Sequence, residues 1–174
     1  MRDILIVVDM QKDFVDGALG TGEARLIAPK AAERIKGFQG PVYYTMDSHG
    51  PDYMQTQEGR RLPVAHCLKG SPGWELIPEL KGLSCERIFE KPGFGSAELA
   101  LFLREKNSQE PLESITLIGL CTDICVISNA ILLKSFLPEA RIKVDASCCA
   151  GVSPQSHLTA LEAMKMCQIE IENG

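Results

Sequence analysis

Short, wholly apolar runs alternate along this chain with longer stretches in which apolar positions recur every three or four residues. Residues 4–8 form one of the short runs, and its unbroken apolar character predicts a strand buried on both faces. From residue 25 to residue 38, Leu26, Ile27, Ala31 and Ile35 fall on one side of a helical period, which predicts an amphipathic helix. Residues 41–46, 87–90, 115–120, 141–145 and 168–171 read as further strands. Between them the pattern predicts a helix capped by Ser96 and running to about Lys106, another over residues 123–136, and a last one opened by Ser153-Pro154 and running to about Met166. Residues 47–73 show no period and are rich in Gly, Pro and polar side chains. A connection that long inside a compact domain is usually functional.

Alternating strands and helices predict the α/β class: a three-layer fold with a central, mostly parallel sheet flanked by helices. No repeat, low-complexity tract or linker interrupts residues 1–174, so one domain is expected. Composition adds exclusions. A net charge of −5 and the absence of a basic run argue against a nucleic-acid partner. No apolar stretch reaches membrane-spanning length, and the N-terminal run is too short for a signal peptide and is closed by Asp9. A cytoplasmic location follows as the default. The seven cysteines are an odd number scattered through apolar sequence, which favours small buried hydrophobes over a disulfide framework.

Sheets of this kind bind ligands beyond the carboxyl ends of their strands, so the chemistry is sought there. Asp9 follows the first strand, Lys91 follows the strand around Phe89, and Cys125 lies where the strand ending at Leu120 turns into a helix. Each has a bland alternative: a turn residue, a solvated lysine, a packed thiol. On one edge they make a set. A helix N-terminus and a nearby ammonium favour a thiolate, and a carboxylate can move protons between nucleophile, leaving group and water. Backbone N–H groups at the turn can hold an oxyanion. In the aperiodic segment, Asp47, His49, Glu58 and His66 gather two of the three histidines beside two carboxylates. Such nitrogen and oxygen donors suit Zn, Mn or Fe, although a polar loop also collects these residues by chance. The third histidine, His157, reads as structural or solvent-facing.

These segments resemble the isochorismatase-like cysteine hydrolases, and among them the nicotinamidase branch. Val7-Val8-Asp9-Met10-Gln11-Lys12-Asp13-Phe14 is similar to their opening strand, and Asp47-Ser48-His49 and the segment from Leu62 to Gly73 to their two metal segments. Glu90-Lys91-Pro92-Gly93-Phe94-Gly95-Ser96 resembles their lysine motif, Thr122-Asp123-Ile124-Cys125-Val126 their nucleophile motif, and Cys149-Ala150-Gly151-Val152-Ser153 the stretch before their final helix. The resemblance spans nearly the whole chain in the right order. It implies a triad of Asp9, Lys91 and Cys125, and a divalent metal, zinc or else Mn or Fe, on Asp47, His49, Glu58 and His66. It further implies an oxyanion site at the N–H groups of Cys121 and Cys125 beside a cis Leu120–Cys121 bond, and a substrate pocket at Phe14, Leu120 and Cys121. The implied reaction is hydrolysis of nicotinamide to nicotinate and ammonia through a thioester, serving NAD salvage. The implied partners are a small carboxamide and further copies of the chain in a homo-oligomer. Another small amide, a non-catalytic metal-binding member, or a redox-sensing thiol protein built on Cys121, Cys125, Cys148 and Cys149 are the alternatives. Two positions depart from the family pattern: Leu62-Pro63 stands where a stacking Trp is common, the only Trp being Trp74, and Cys121 stands where Ala is usual.

Overall fold

The computed structural model describes residues 2–174. β1 (Arg2–Val8) is followed by the short helix α1 (Lys12–Val15) and the long helix α2 (Gly22–Gly37). β2 (Val42–Asp47) leads into an extended connection that contains α3 (Gln57–Arg61). Then come β3 (Arg87–Lys91), α4 (Ala97–Gln109), β4 (Leu112–Leu120), α5 (Ile127–Phe136), β5 (Arg141–Ala150), α6 (Pro154–Met166) and β6 (Glu170–Glu172). No helix among the described residues is long and apolar enough to cross a membrane.

The six strands form one sheet in the order β3-β2-β1-β4-β5-β6, and every neighbouring pair is parallel. The expected parallel sheet is thus parallel throughout. Period-2 geometry sends successive side chains of β1 to opposite faces. Ile4, Ile6 and Val8 join a core with residues of α4, α5 and α6, whereas Leu5 and Val7 join a second core with α1 and α2. That is why residues 4–8 must be apolar at every position. The two caps read from the sequence hold, Ser96 and Ser153 accepting N–H bonds from Leu99 and Ser156, whereas α2 opens three residues earlier than its pattern predicts, capped by Thr21 through Ala24.

Three local features depart from the sequence pattern. The expected helix over 123–136 starts as a widened turn over Thr122–Val126, in which the Cys121 carbonyl accepts the N–H groups of both Ile124 and Val126. Such π-type turns often mark functional sites. β5 runs on to Ala150, five residues past its expected end at Asp145, with an irregular register opposite Leu117 and Gly119. The polar residues Ser147 and Asp145 hide that continuation because they satisfy each other at 2.7 Å. The aperiodic segment is ordered by anchors rather than by period: the Tyr53 hydroxyl donates to the Leu62 carbonyl at 2.9 Å, and the His49 N–H donates to the Cys67 carbonyl at 3.0 Å.

Chain order runs outward from β1 through β2 to β3, then returns to the other side of β1 for β4 to β6. This reversal opens a crevice at the carboxyl ends of β1 and β4, the place where doubly wound sheets bind ligands. Gly119 lets β4 crowd β1 there: its φ is +117°, and a Cβ would strike the Val8 carbonyl oxygen. Gly119→Ala is predicted to destabilise the fold by about 1–3 kcal/mol from backbone conformation alone. The check is the urea midpoint, which should fall without loss of the cooperative transition.

Candidate active site

Asp9 follows β1, Asp47 ends β2, Lys91 ends β3, and Cys125 sits in the widened turn after β4. The sheet therefore brings residues from four separate stretches of sequence to one edge. Lys91 is 2% exposed, and its ammonium stands 2.7 Å from Asp9 Oδ2, 3.4 Å from Asp47 Oδ1 and 3.5 Å from Cys125 Sγ, while donating to the Gly93 carbonyl at 2.9 Å. The other oxygen of Asp9 accepts the Thr45 hydroxyl at 2.6 Å. Asp9 itself holds a left-handed backbone, φ +48°, which a non-glycine residue adopts only when its surroundings enforce it. The Leu120–Cys121 peptide is cis.

The electrostatics follow from burial. Desolvation pushes the Asp9 carboxyl above its ordinary range, Lys91 pulls it down, and Asp47 pushes it up again; the balance is upward. Burial works against the Lys91 ammonium, but Asp9, Cys125 and Asp47 together raise its pKa, so it stays charged. For Cys125 the sequence favours a thiolate. In the structure desolvation is the largest influence on that thiol and Asp9 adds to it, so together they make it hold its proton more tightly, against the pull of Lys91. Asp9 is within hydrogen-bonding reach to take that proton.

The four candidate ligands also converge. One donor atom from each of Asp47, His49, Glu58 and His66 lies within 4.8 Å of all the others. His49 Nε2 is 3.0 Å from Asp47 Oδ2 and 3.8 Å from Glu58 Oε1, and His66 Nε2 is 3.6 Å and 3.9 Å from the same two oxygens. A tetrahedral ion with bonds of about 2.0–2.2 Å separates its ligands by roughly 3.3–3.6 Å. The four imidazole–carboxylate separations, 3.0 to 3.9 Å, bracket that span. His66 Nδ1 is 2.8 Å from the Val64 carbonyl, which fixes the tautomer that offers Nε2. Tyr53 packs its ring 4.7 Å from His49 and 5.0 Å from His66 instead of supplying a ligand. Burial would raise the Asp47 carboxyl, but hydrogen bonds from His49 and His66, helped by Lys91, hold it well below the ordinary carboxylate range. These donors make a set fit for a divalent metal ion.

Asp47 joins the two clusters, with Oδ1 toward Lys91 and Oδ2 toward the imidazoles. Phe14 and Leu120 belong to the core on the α2 face of the sheet, with Cys121 and Trp74 packed against it. The Phe14 ring lies 5.5 Å from that of His66. Trp74 donates its indole N–H to the Ser48 hydroxyl at 2.8 Å. Leu120 is buried, and burial pushes the half-buried Cys121 thiol up to about 12. All seven cysteines are free; Cys67, Cys125, Cys148 and Cys149 are buried, whereas Cys85 and Cys167 are exposed. His157 is half-buried and pairs with the Thr122 hydroxyl at 2.8 Å, at the start of the turn that carries Cys125.

Sequence reasoning passed over Gln11, Thr45 and Asn129. Asn129 accepts the Ser96 N–H at 2.9 Å and donates to the Cys125 carbonyl at 2.8 Å, tying α4 to the nucleophile turn. The available signal was a polar residue inside an otherwise apolar pattern, as with Thr45 in Val42–Asp47.

Comparison with known proteins gives a consistent result. The isochorismatase domain matches residues 3–172. A nicotinamidase/pyrazinamidase of Mycobacterium tuberculosis is 28% identical, with 96% of each chain covered. Among solved structures, a pyrazinamidase of Pyrococcus horikoshii in complex with zinc superposes with a TM-score of 0.82 at 28% identity, covering 98% of both chains. A nicotinamidase/pyrazinamidase of Bacillus subtilis gives a TM-score of 0.83 at 26% identity, covering 99% of this chain and 100% of the other.

Two outcomes test the electrostatics. Lys91→Met strands two buried carboxylates without their counter-ion and should cost about 3–5 kcal/mol in urea unfolding of chelated protein. Adding Asp9→Asn should recover part of that loss. Burial lowers the pKa of His157, only partly opposed by Asp123, so its neutral form belongs to the folded state. Its contribution is complete above the unfolded pKa of about 6.5 and fades as pH falls through the lower folded value. His157→Gln should therefore flatten the decline in stability between pH 7 and pH 5.

Proposed function

The chain belongs to the isochorismatase family, and we propose that within it the protein is a nicotinamidase, a metal-assisted cysteine amidohydrolase that converts nicotinamide to nicotinate and ammonia. The observation that carries this reading is the double engagement of Asp47, 3.0 Å from His49 on one side and 3.4 Å from the Lys91 ammonium on the other. A metal-ligand set and a cysteine triad share that carboxylate. One ligand can therefore be held at one end and attacked at the other. Relatives named nicotinamidase or pyrazinamidase support the same reaction class.

Asp47, His49, Glu58 and His66 would hold the ion, which when bound supplies a Lewis-acid anchor for a ring nitrogen. The remaining chemistry belongs to this chain. Asp9 takes the proton of Cys125 as the sulfur attacks the carboxamide carbon. The raised carboxyl of Asp9 suits it to hold that proton and pass it to the leaving ammonia. N–H groups of Cys121 and Cys125 hold the oxyanion. Asp9, ionised again, deprotonates water, which cleaves the thioester and returns the thiol. Lys91, kept charged by its two carboxylates, orients Asp9 and balances negative charge as it moves. Phe14, Leu120 and Cys121 border the substrate. The same reading takes zinc as the ion, the cytoplasm as the setting, NAD salvage as the use of the product and a homo-oligomer as the working form.

A second reading keeps the mechanism and changes the amide. Its motive is the pocket wall: Leu62-Pro63 replaces an aromatic, and Trp74 is tied to Ser48.

The test is ammonia release from purified protein over a panel of carboxamides, before and after chelation. Nicotinamide should be the preferred substrate, chelation should abolish turnover, and added Zn, Mn or Fe should restore it. Cys125→Ala should lower kcat by at least about a thousandfold, within the span seen when a nucleophile is deleted, while the melting curve is retained. Activity kept in Cys125→Ala sinks the nucleophile assignment, and activity on a different amide alone selects the second reading.

A further inference from the structure

β1 and β2 pair through Val8 and Thr45, and the Asp9 N–H makes the last rung to the Thr45 carbonyl at 3.2 Å. Beyond that point β1 turns away, while β2 continues to Asp47. The main-chain groups of Asp47 on that side would be left without a strand partner, in the interior. Gln11, wholly buried, fills the gap. Its Nε2 donates to the Asp47 carbonyl at 2.9 Å, and its Oε1 accepts the Asp47 N–H at 2.8 Å. The primary amide thus stands in for the missing peptide group of β1. The second Nε2 hydrogen goes to the Trp74 carbonyl at 2.8 Å.

The same segment reaches the other ligands. Asp13 Oδ2 accepts the N–H of Cys67, the residue after His66, at 2.8 Å. The backbone of the segment is itself pinned, with the Gln11 N–H on the Asp9 carbonyl at 2.8 Å and the Ile77 N–H on the Met10 carbonyl at 3.0 Å.

We propose that Gln11 is a positioning residue that continues the β1 ladder with its side-chain amide, fixes Asp47 between the imidazoles and Lys91, and so couples the Asp9 segment to the metal centre. This rests on the reading of Asp47, His49, Glu58 and His66 as ligands of a divalent ion. Only an amide serves here. A carboxylate at position 11 would face two carbonyl oxygens with no hydrogen to give, and an apolar side chain would leave three buried main-chain groups unpaired.

The experiment is zinc titration of the full chain by calorimetry with a competing chelator, alongside thermal melts, for wild type, Gln11→Glu and Gln11→Met. Both variants should fold, and zinc affinity should fall by about ten- to a hundredfold, the usual effect of losing a group that supports a ligand. A folded variant that binds zinc as tightly as wild type overturns the inference while leaving the metal reading intact. Failure of both variants to fold also overturns it, because Gln11 would then hold the core rather than the ligand. Absence of zinc, manganese or iron binding by wild type overturns the metal reading and this inference with it.

Discussion

An ammonium at the bottom of the crevice is the constraint that organises this molecule. Lys91 is almost fully removed from water, and a lone charge there would be neutralised or expelled. It persists because Asp9 and Asp47 approach it from two neighbouring strands and the Gly93 carbonyl takes a further hydrogen. Each carboxylate is in turn held by others, Asp9 by Thr45 and Asp47 by His49 and His66, while Gln11 pins the main chain of Asp47. The ammonium therefore dictates where three strands must end and which side chains follow them.

The parallel sheet makes that convergence available. Its strands all point their carboxyl ends to the same edge, and the reversal of chain order around β1 leaves that edge open between β1 and β4. Gly119 lets β4 press against β1, and the turn after β4 brings the Cys125 sulfur 3.5 Å from the Lys91 ammonium. Parallel strands buried on both faces also need apolar residues at every position, so polar residues appear at strand ends. That is where the chemistry lies.

The same constraint makes much of the site legible in the amino-acid sequence. Asp9 closes the apolar run of β1, Lys91 ends β3 and Cys125 lies in the turn after β4, and Asp47, His49, Glu58 and His66 stand together in a segment with no period to explain them. What stays hidden has a common cause: it depends on partners distant in sequence. Gln11 looks like one polar residue among several until Asp47 and Trp74 are seen on either side of its amide. Asp145 looks like a strand end until Arg34 and Asn173 are seen on its carboxylate. For Cys125 a helix start and a lysine are visible in the sequence, whereas the depth of burial that opposes them is not.

One ammonium serves two carboxylates, and the environment drives those carboxylates apart. Asp9 is raised because desolvation dominates and its other polar contact is a hydroxyl. Asp47 is lowered because two imidazoles add hydrogen bonds that overcome the same desolvation. Opposite shifts in adjacent acids separate their roles. Desolvation thus favours a proton on Asp9, and the two imidazoles favour charge on Asp47. Under the proposed reaction this division matters at every step: the proton from Cys125 must be stored where the leaving ammonia can collect it, and must not neutralise a metal ligand on the way. An imidazole beside Asp9, or the loss of His49 and His66 beside Asp47, would erase that difference.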